Sequence, residues 1–299
     1  MSDNGSAPTI KRDSLKRWFG LASANPTPKD DWFHSPPAVD RSESPIITAA
    51  RSLPHGAACS DELRKAIDAE IVARRVAKNM LDGPAAPKTT TELTVRRDGM
   101  PDWWNQNGHL LLCGPDLGEV RFGLGMLGKP SYRSLVVIGR GVILPSINIL
   151  REDACIVVGD NCRLLNSSIG CGNATVLVGE ETTATWMASI DARNGGMVVA
   201  GADGMWAAGS SMMTDDTHAI RDAATGKRLN KFGGRIMLGD HVWLGEQTKL
   251  MGDCRIGDDC IVGMGSFVKN VALPSNTVSV GRPARPVRSG VTWSRQDLP

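Results

Sequence analysis

The sequence predicts a mainly β chain wound as a parallel β-helix, preceded by an α-helical and irregular N-terminal extension. Three observations carry this reading. First, residues 236–271 repeat every six positions. Leu238, Leu244, Leu250, Ile256, Val262 and Val268 are all aliphatic, and two positions before each sits a small or β-branched residue: Ile236, Val242, Thr248, Cys254, Cys260, Ser266. Second, Ile138-Gly139, Val158-Gly159, Val178-Gly179 and Ala200-Gly201 recur about every twenty residues. Third, aromatics are only 5% of the chain while glycines number 33, which suits a thin coil filled by Val, Ile and Leu. A period of six fits neither an α-helix nor a simple alternation. It fits short strands joined by tight corners, three sides to a turn of roughly eighteen residues.

Residues 1–58 are rich in Ser, Pro and charged residues and predict an irregular or disordered segment. Within it, Leu15, Trp18 and Phe19 alternate with Lys11, Arg12, Lys16 and Arg17, a pattern that a membrane surface or a partner would accept. The composition favours a tail that stays in solvent. Residues 59–133 predict a helix and a cap. Ser60 is the expected N-cap of a helix over 60–82, with Leu63, Ile67, Ile71 and Val76 on its apolar face. A short β-segment is expected over 89–97. Trp103, Trp104 and the run Leu110–Cys113 are expected to close the open end of the coil, which otherwise exposes its core. Gly123, Gly125 and Gly128 satisfy G-x-G-x-x-G, but Lys129-Pro130-Ser131 does not open a helix, so the reading is a turn. His109, beside an apolar run, reads as structural.

The coil is expected over 134–288, with 289–299 as a C-terminal tail. Ala200, Trp206 and Met212 keep the step of six, and the next step lands on His218, where the pattern stops. Residues 214–235 are polar and glycine-containing, a loop thrown out from a rigid scaffold, where function tends to sit.

The net charge of +2 gives no case for nucleic acid. The start Met1-Ser2-Asp3-Asn4 lacks the apolar run of a signal peptide, and the stretch 135–150 is broken by Arg140, Pro145 and Asn148. Seven cysteines without a C-x-x-C, three of them (Cys162, Cys254, Cys260) at the small inward position, read as buried reduced thiols. A cytoplasmic location is expected.

Four segments carry a resemblance. Thr214-Asp215-Asp216-Thr217-His218-Ala219-Ile220, Gly239-Asp240-His241-Val242-Trp243-Leu244-Gly245, Gly263-Met264-Gly265-Ser266-Phe267-Val268-Lys269 and Gly281-Arg282-Pro283-Ala284-Arg285 are similar to the hexapeptide-repeat acyltransferases. Among these they most resemble bacterial polysaccharide and sugar O-acetyltransferases of the galactoside- and maltose-acetyltransferase type. The resemblance covers about half of the chain, roughly 135–288.

It implies a left-handed parallel β-helix, a homotrimer with sites between neighbouring subunits, and acetyl transfer from acetyl-CoA to a sugar hydroxyl, in surface polysaccharide or glycolipid synthesis. No permanently bound cofactor and no metal is implied. His218 would be the general base, with Asp216 or Asp215 orienting its ring and Trp243 near the reaction. Gly245 and Gly263 would let the pantetheine lie against backbone, and Lys269, Arg285 and Arg288 would meet the phosphates. His241, at a turn position, is expected in solvent. Three departures stand out: Asp215 where relatives often have Ser, Asn270 where many have an acid, and Arg282 where a small polar residue is usual. A γ-type carbonic anhydrase of the same fold needs three His on zinc, and only five His exist here. A nucleotidyltransferase would need a nucleotide-binding domain upstream, for which 1–133 is short. The remaining alternative is a non-catalytic β-helix scaffold.

Overall fold

A computed structural model describes residues 45–124 and 132–296. The chain winds into a β-helix of about seven turns with three flat sides. The first side stacks Leu110–Cys113, Leu135–Ile138, Ala154–Val158, Ala174–Val178, Met197–Ala200 and Arg235–Leu238 in parallel register. The second stacks Arg163–Leu164, Thr183–Ala184, Met205–Trp206, Trp243–Leu244, Ile261–Val262 and Thr277–Gly281. The third runs from Arg121–Leu124 through Ser146–Ile149, Ser168–Gly172 and Ser189–Arg193 to Ser211–Met213. The strands Lys249–Ile256 and Phe267–Leu273 bend round the corner between the third and first sides, so each serves both.

The step of six marks the interior. Leu238, Leu244, Leu250, Ile256, Val262 and Val268 are all buried, as are the six residues two positions before them. The earlier pairs obey the same rule: Ile138, Val158, Val178, Ala200 and Leu238 lie in one column, each in register with the next. The glycine after each is required by stacking. A Cβ on Gly239 would lie 2.6 Å from the amide nitrogen of Asp258 in the following turn, and one on Gly201 would lie 2.7 Å from that of Asp240. Backbone sits directly on backbone at this corner, which leaves no room for a methyl group. Cys155, Cys162, Cys171 and Cys254 are buried thiols, and burial pushes Cys155 and Cys254 up to about 11 and Cys162 up to about 12.

The first side is buried on both faces. Its outward residues Leu112, Val137, Val157, Leu177 and Val199 pack against the helices Pro45–Arg51 and Asp61–Ala77. Ser60 caps the longer helix as expected, its hydroxyl accepting from Leu63 N. Its buried stripe is Leu63, Ile67, Ile71 and Arg75; Val76 is exposed. The strict step of four selects Arg75, whose guanidinium donates twice to the Met80 carbonyl.

Three boundary expectations are corrected. Within the segment expected to be irregular over 1–58, Pro45–Arg51 forms a helix that buries Ile46 and Ala50 against this face. Residues 1–44, with the basic segment 8–20, lie outside the described residues. The coil begins at Leu110 rather than at 134, since Leu110–Cys113 is its first strand and not a lid. The lid is Trp104, fully buried in the axial core against His109 and Phe122, with their ring centroids 4.9 and 4.8 Å away. His109 is structural here, its Nδ1 accepting from Ser134 N at 3.1 Å. The β-segment expected over 89–97 shrinks to Thr94–Val95, antiparallel to Leu110–Cys113. Gly123 lies in a strand and not a turn; Gly125 and Gly128 lie outside the described residues.

The tail is not loose. Ala284–Ser289 pairs antiparallel with Thr277–Gly281. Residues 291–295 then run along the corner between the first and second sides. Val291 bonds Asn276, Thr292 bonds Asp259, Trp293 bonds His241 and Arg295 bonds Asp203, one turn of the coil after another. Among the described residues no helix is long and apolar enough to cross a membrane.

Candidate active site

The loop leaves the third side after Met213 and returns at Arg235. Its two roots are clasped. Gly234 N donates to Thr214 O, and the Thr214 hydroxyl oxygen accepts from Arg193 N at 2.9 Å. Asp215 is buried and accepts from Asn194 Nδ2 at 2.7 Å, Thr217 N at 2.8 Å and Gly233 N at 3.4 Å. One carboxylate therefore ties the outgoing chain, the returning chain and the preceding turn of the coil together. Buried carboxylates are tolerated when hydrogen-bonded in this way.

Thr217 has φ of +59°. A β-branched residue rarely adopts this conformation. His218 N donates to Asp216 O at 2.6 Å across it, forming a tight three-residue turn. Strain of this kind is held only where surrounding bonds over-determine it, and it collects at functional sites. The turn presents His218 exposed, with Nδ1 2.9 Å from the Thr217 hydroxyl. Beyond His218 the loop folds back as a small hairpin, Arg221 bridging Arg228. Asn230 closes it, donating to His218 O at 2.8 Å and to Asp216 Oδ2 at 3.1 Å.

The expected residues fall into two groups. His218, Asp216 and Lys269 come together, with Lys269 Nζ 3.7 Å from Asp216 Oδ1. Lys269 thus joins the loop cluster rather than the arginines with which it was expected. Asp216 faces Lys269 and Asn230, while the His218 ring meets Thr217. Trp243, Gly245, Gly263, Arg285 and Arg288 gather instead along the second side and its hairpin. Trp243 points outward, 36% exposed, with its ring 6.0 Å from that of Trp293. Arg285 and Arg288 are exposed. The space beside the two glycines is taken by the next turn: a Cβ on Gly245 would lie 2.6 Å from Met264 N, and one on Gly263 would lie 2.7 Å from a Val280 methyl. Stacking accounts for both glycines, so the pantetheine groove expected beside them is not needed to explain them.

His241 corrects an expectation. It is half-buried and stacked on Trp293, with centroids 3.9 Å apart and planes 6° from parallel. Its Nδ1 lies 2.6 Å from Asp203 and its Nε2 lies 2.9 Å from the Trp293 carbonyl. Asn194 and Asn230 were not singled out in the sequence; they carry no motif, and only the fold brings them to the segment Thr214–Ile220, in which Thr217 lies.

A match to the family model described as bacterial transferase hexapeptide (six repeats) covers residues 235–270. A Schizosaccharomyces pombe protein whose description reads "Putative acetyltransferase" is 36% identical over 58 residues, which cover 19% of this chain and 28% of that protein. The chain therefore matches under a third of that relative's length. The fold resembles the polySia-specific acetyltransferase NeuO, with a TM-score of 0.53 and 23% identity, covering 62% of this chain and 85% of that one. The polysialic acid O-acetyltransferase OatWY is 21% identical, with a TM-score of 0.39, covering 59% of this chain and 89% of that one.

Proposed function

We propose that this hexapeptide-repeat chain is a cytoplasmic, acetyl-CoA-dependent O-acetyltransferase acting on a sugar hydroxyl, in surface polysaccharide or glycolipid synthesis. The observation that carries the reading is the construction around His218: a clasped loop, a strained turn and an exposed imidazole at the end of it. The hexapeptide match and the four motif segments support the same class.

With Nδ1–H donating to the Thr217 hydroxyl, Nε2 carries the lone pair that accepts the proton of the sugar hydroxyl. The alkoxide oxygen attacks the thioester carbonyl, and a backbone N–H of the coil stabilises the oxyanion. The tetrahedral intermediate expels the thiolate of CoA, which takes the proton back from His218. Lys269 beside Asp216 fixes the loop root, and Arg285 and Arg288 hold the phosphates of the donor.

The loop springs from the corner between the third and first sides, while Trp243, Arg285 and Arg288 lie on the second side. One copy of the chain therefore does not unite the two groups. A homotrimer unites them by setting the loop of one subunit against the second side of its neighbour.

The test is acetyl-CoA binding by calorimetry on the wild type and on Arg285→Ala with Arg288→Ala, followed by acetyl transfer to sugars with His218→Ala as control. Binding weakened by loss of the arginines, and transfer abolished without His218, are expected. No donor binding to a folded trimer would leave the scaffold reading in its place.

A further inference from the structure

Past Thr217 the loop has little packing to hold it. His218, Ala219 and Ile220 are all exposed. A base on such a segment needs hydrogen bonds to fix it, because a displacement of about 1 Å costs about 100-fold in rate. One side chain supplies them. The Asn230 amide meets three residues at alternate positions. Its Nδ2 donates to Asp216 Oδ2 at 3.1 Å and to His218 O at 2.8 Å, and its Oδ1 accepts from Ile220 N at 2.8 Å. These partners allow only one placement of the amide, since a carboxylate and a carbonyl only accept and a backbone N–H only donates. Both Nδ2 hydrogens are therefore spent. His218 is gripped by its own carbonyl and by the residues two before and two after it.

Asn230 is itself anchored. Its carbonyl accepts from Arg228 Nε at 2.9 Å, and the Arg228 guanidinium lies 3.8 Å over the ring of Phe232, which is buried. Leu229 N donates to Ile220 O at 2.7 Å, which sets the register of the outgoing and returning segments. The Asp216 carboxylate is divided, with Oδ2 toward Asn230 and Oδ1 toward Lys269. Among the described residues it is Thr217, and not Asp216, that meets the His218 ring.

We propose that Asn230 is a positioning residue of the acyl transfer. It fixes the backbone of His218, with Asp216 orienting its amide, so that Nε2 stands at the acceptor hydroxyl. Thr217 selects the tautomer of the ring, and Asn230 sets where the ring stands. The proposal deepens the transferase reading and rests on it.

The experiment is steady-state transfer from acetyl-CoA to a sugar by the full chain, with hydrogen exchange of the Ile220 amide measured alongside. Asn230→Ala should lower kcat about 100-fold, leave KM for donor and sugar within about twofold, and remove the protection of the Ile220 amide. Asn230→Asp keeps the shape and an acceptor for Ile220 N but sets a carboxylate against that of Asp216. It should match Asn230→Ala at neutral pH. A proton shared between the two carboxyls restores one donor in acid, so kcat of Asn230→Asp relative to wild type should rise as pH falls from about 8 to about 5. A residue that only kept the loop folded would shift KM together with kcat. Wild-type kcat in Asn230→Ala, a rise in KM as large as the fall in kcat, or a flat pH ratio for Asn230→Asp overturns the proposal, while transfer by the wild type keeps the transferase reading. Failure of the wild type to acetylate any sugar sinks that reading and the positioning role with it.

Discussion

Replacing His241 tests whether the tail is held by a charge. Both ring nitrogens of His241 face acceptors, the Asp203 carboxylate and the Trp293 carbonyl. Only an imidazolium donates to both. Burial alone would lower its pKa, but the Trp293 carbonyl and the Asp203 carboxylate, with Asp259 nearby, outweigh that and raise it. Arg295 also binds Asp203, so the carboxylate is shared. The sign follows from the raised value. The contribution of His241 is fully present below the unfolded value of about 6.5 and is lost as pH rises through the folded one. His241→Asn tolerates the φ of +55° at this position but removes the cation and the stack. A hydrogen bond to a charged group contributes about 1.5–3 kcal/mol and a ring pair about 0.5–1.5 kcal/mol. Partial exposure of Asp203 pulls the sum toward its lower end, about 2 kcal/mol, or roughly a 30-fold change in tail opening. Hydrogen exchange of residues 291–296 from about pH 5 to about pH 9 reads it directly. Protection should fall with pH in the wild type, and be low and flat in His241→Asn. Wild-type protection that rises with pH, or does not change, would refute the reasoning.

Three further outcomes are expected. Trp206 fills the axis of the coil, yet among the described residues its indole N–H has no partner. Trp206→Phe should therefore cost little in denaturant unfolding, while Trp206→Ala should cost about 3–5 kcal/mol. Gly239→Ala, with its Cβ 2.6 Å from Asp258 N, should lower the yield of folded protein, seen as loss of the cooperative thermal transition. Asp215→Ala should free both loop roots and lower transfer by His218 without lowering acetyl-CoA affinity. Asp215→Asn, which keeps an acceptor oxygen, should recover part of the rate, and equal defects in the two variants would count against the clasp.

What was legible in the sequence follows from how local each constraint is. The interior of a β-helix is set by one residue per side, so the step of six from Leu238 to Val268 names its buried column directly. The break at His218 was legible for the same reason, since a loop can leave the coil only where the column is interrupted. Leu110–Cys113 escaped because a buried apolar run reads alike as a lid or as a strand covered on both faces, and only its register with Leu135–Ile138 decides between them. The site was half legible. The resemblance named His218 and Trp243 as candidates but said nothing of their separation around the coil. His241 was read as solvent-exposed because turn positions usually are; its true surroundings are Asp203, one turn away, and Trp293, 52 residues on. The roles of the two aspartates divide on the same ground. Adjacent in sequence, Asp215 turns inward to backbone amides and Asp216 turns toward Lys269. Residues next to each other at a corner leave it in opposite directions, so a paired acid in a loop motif is better read as one clasp and one ion-pair partner than as two candidates for the same task.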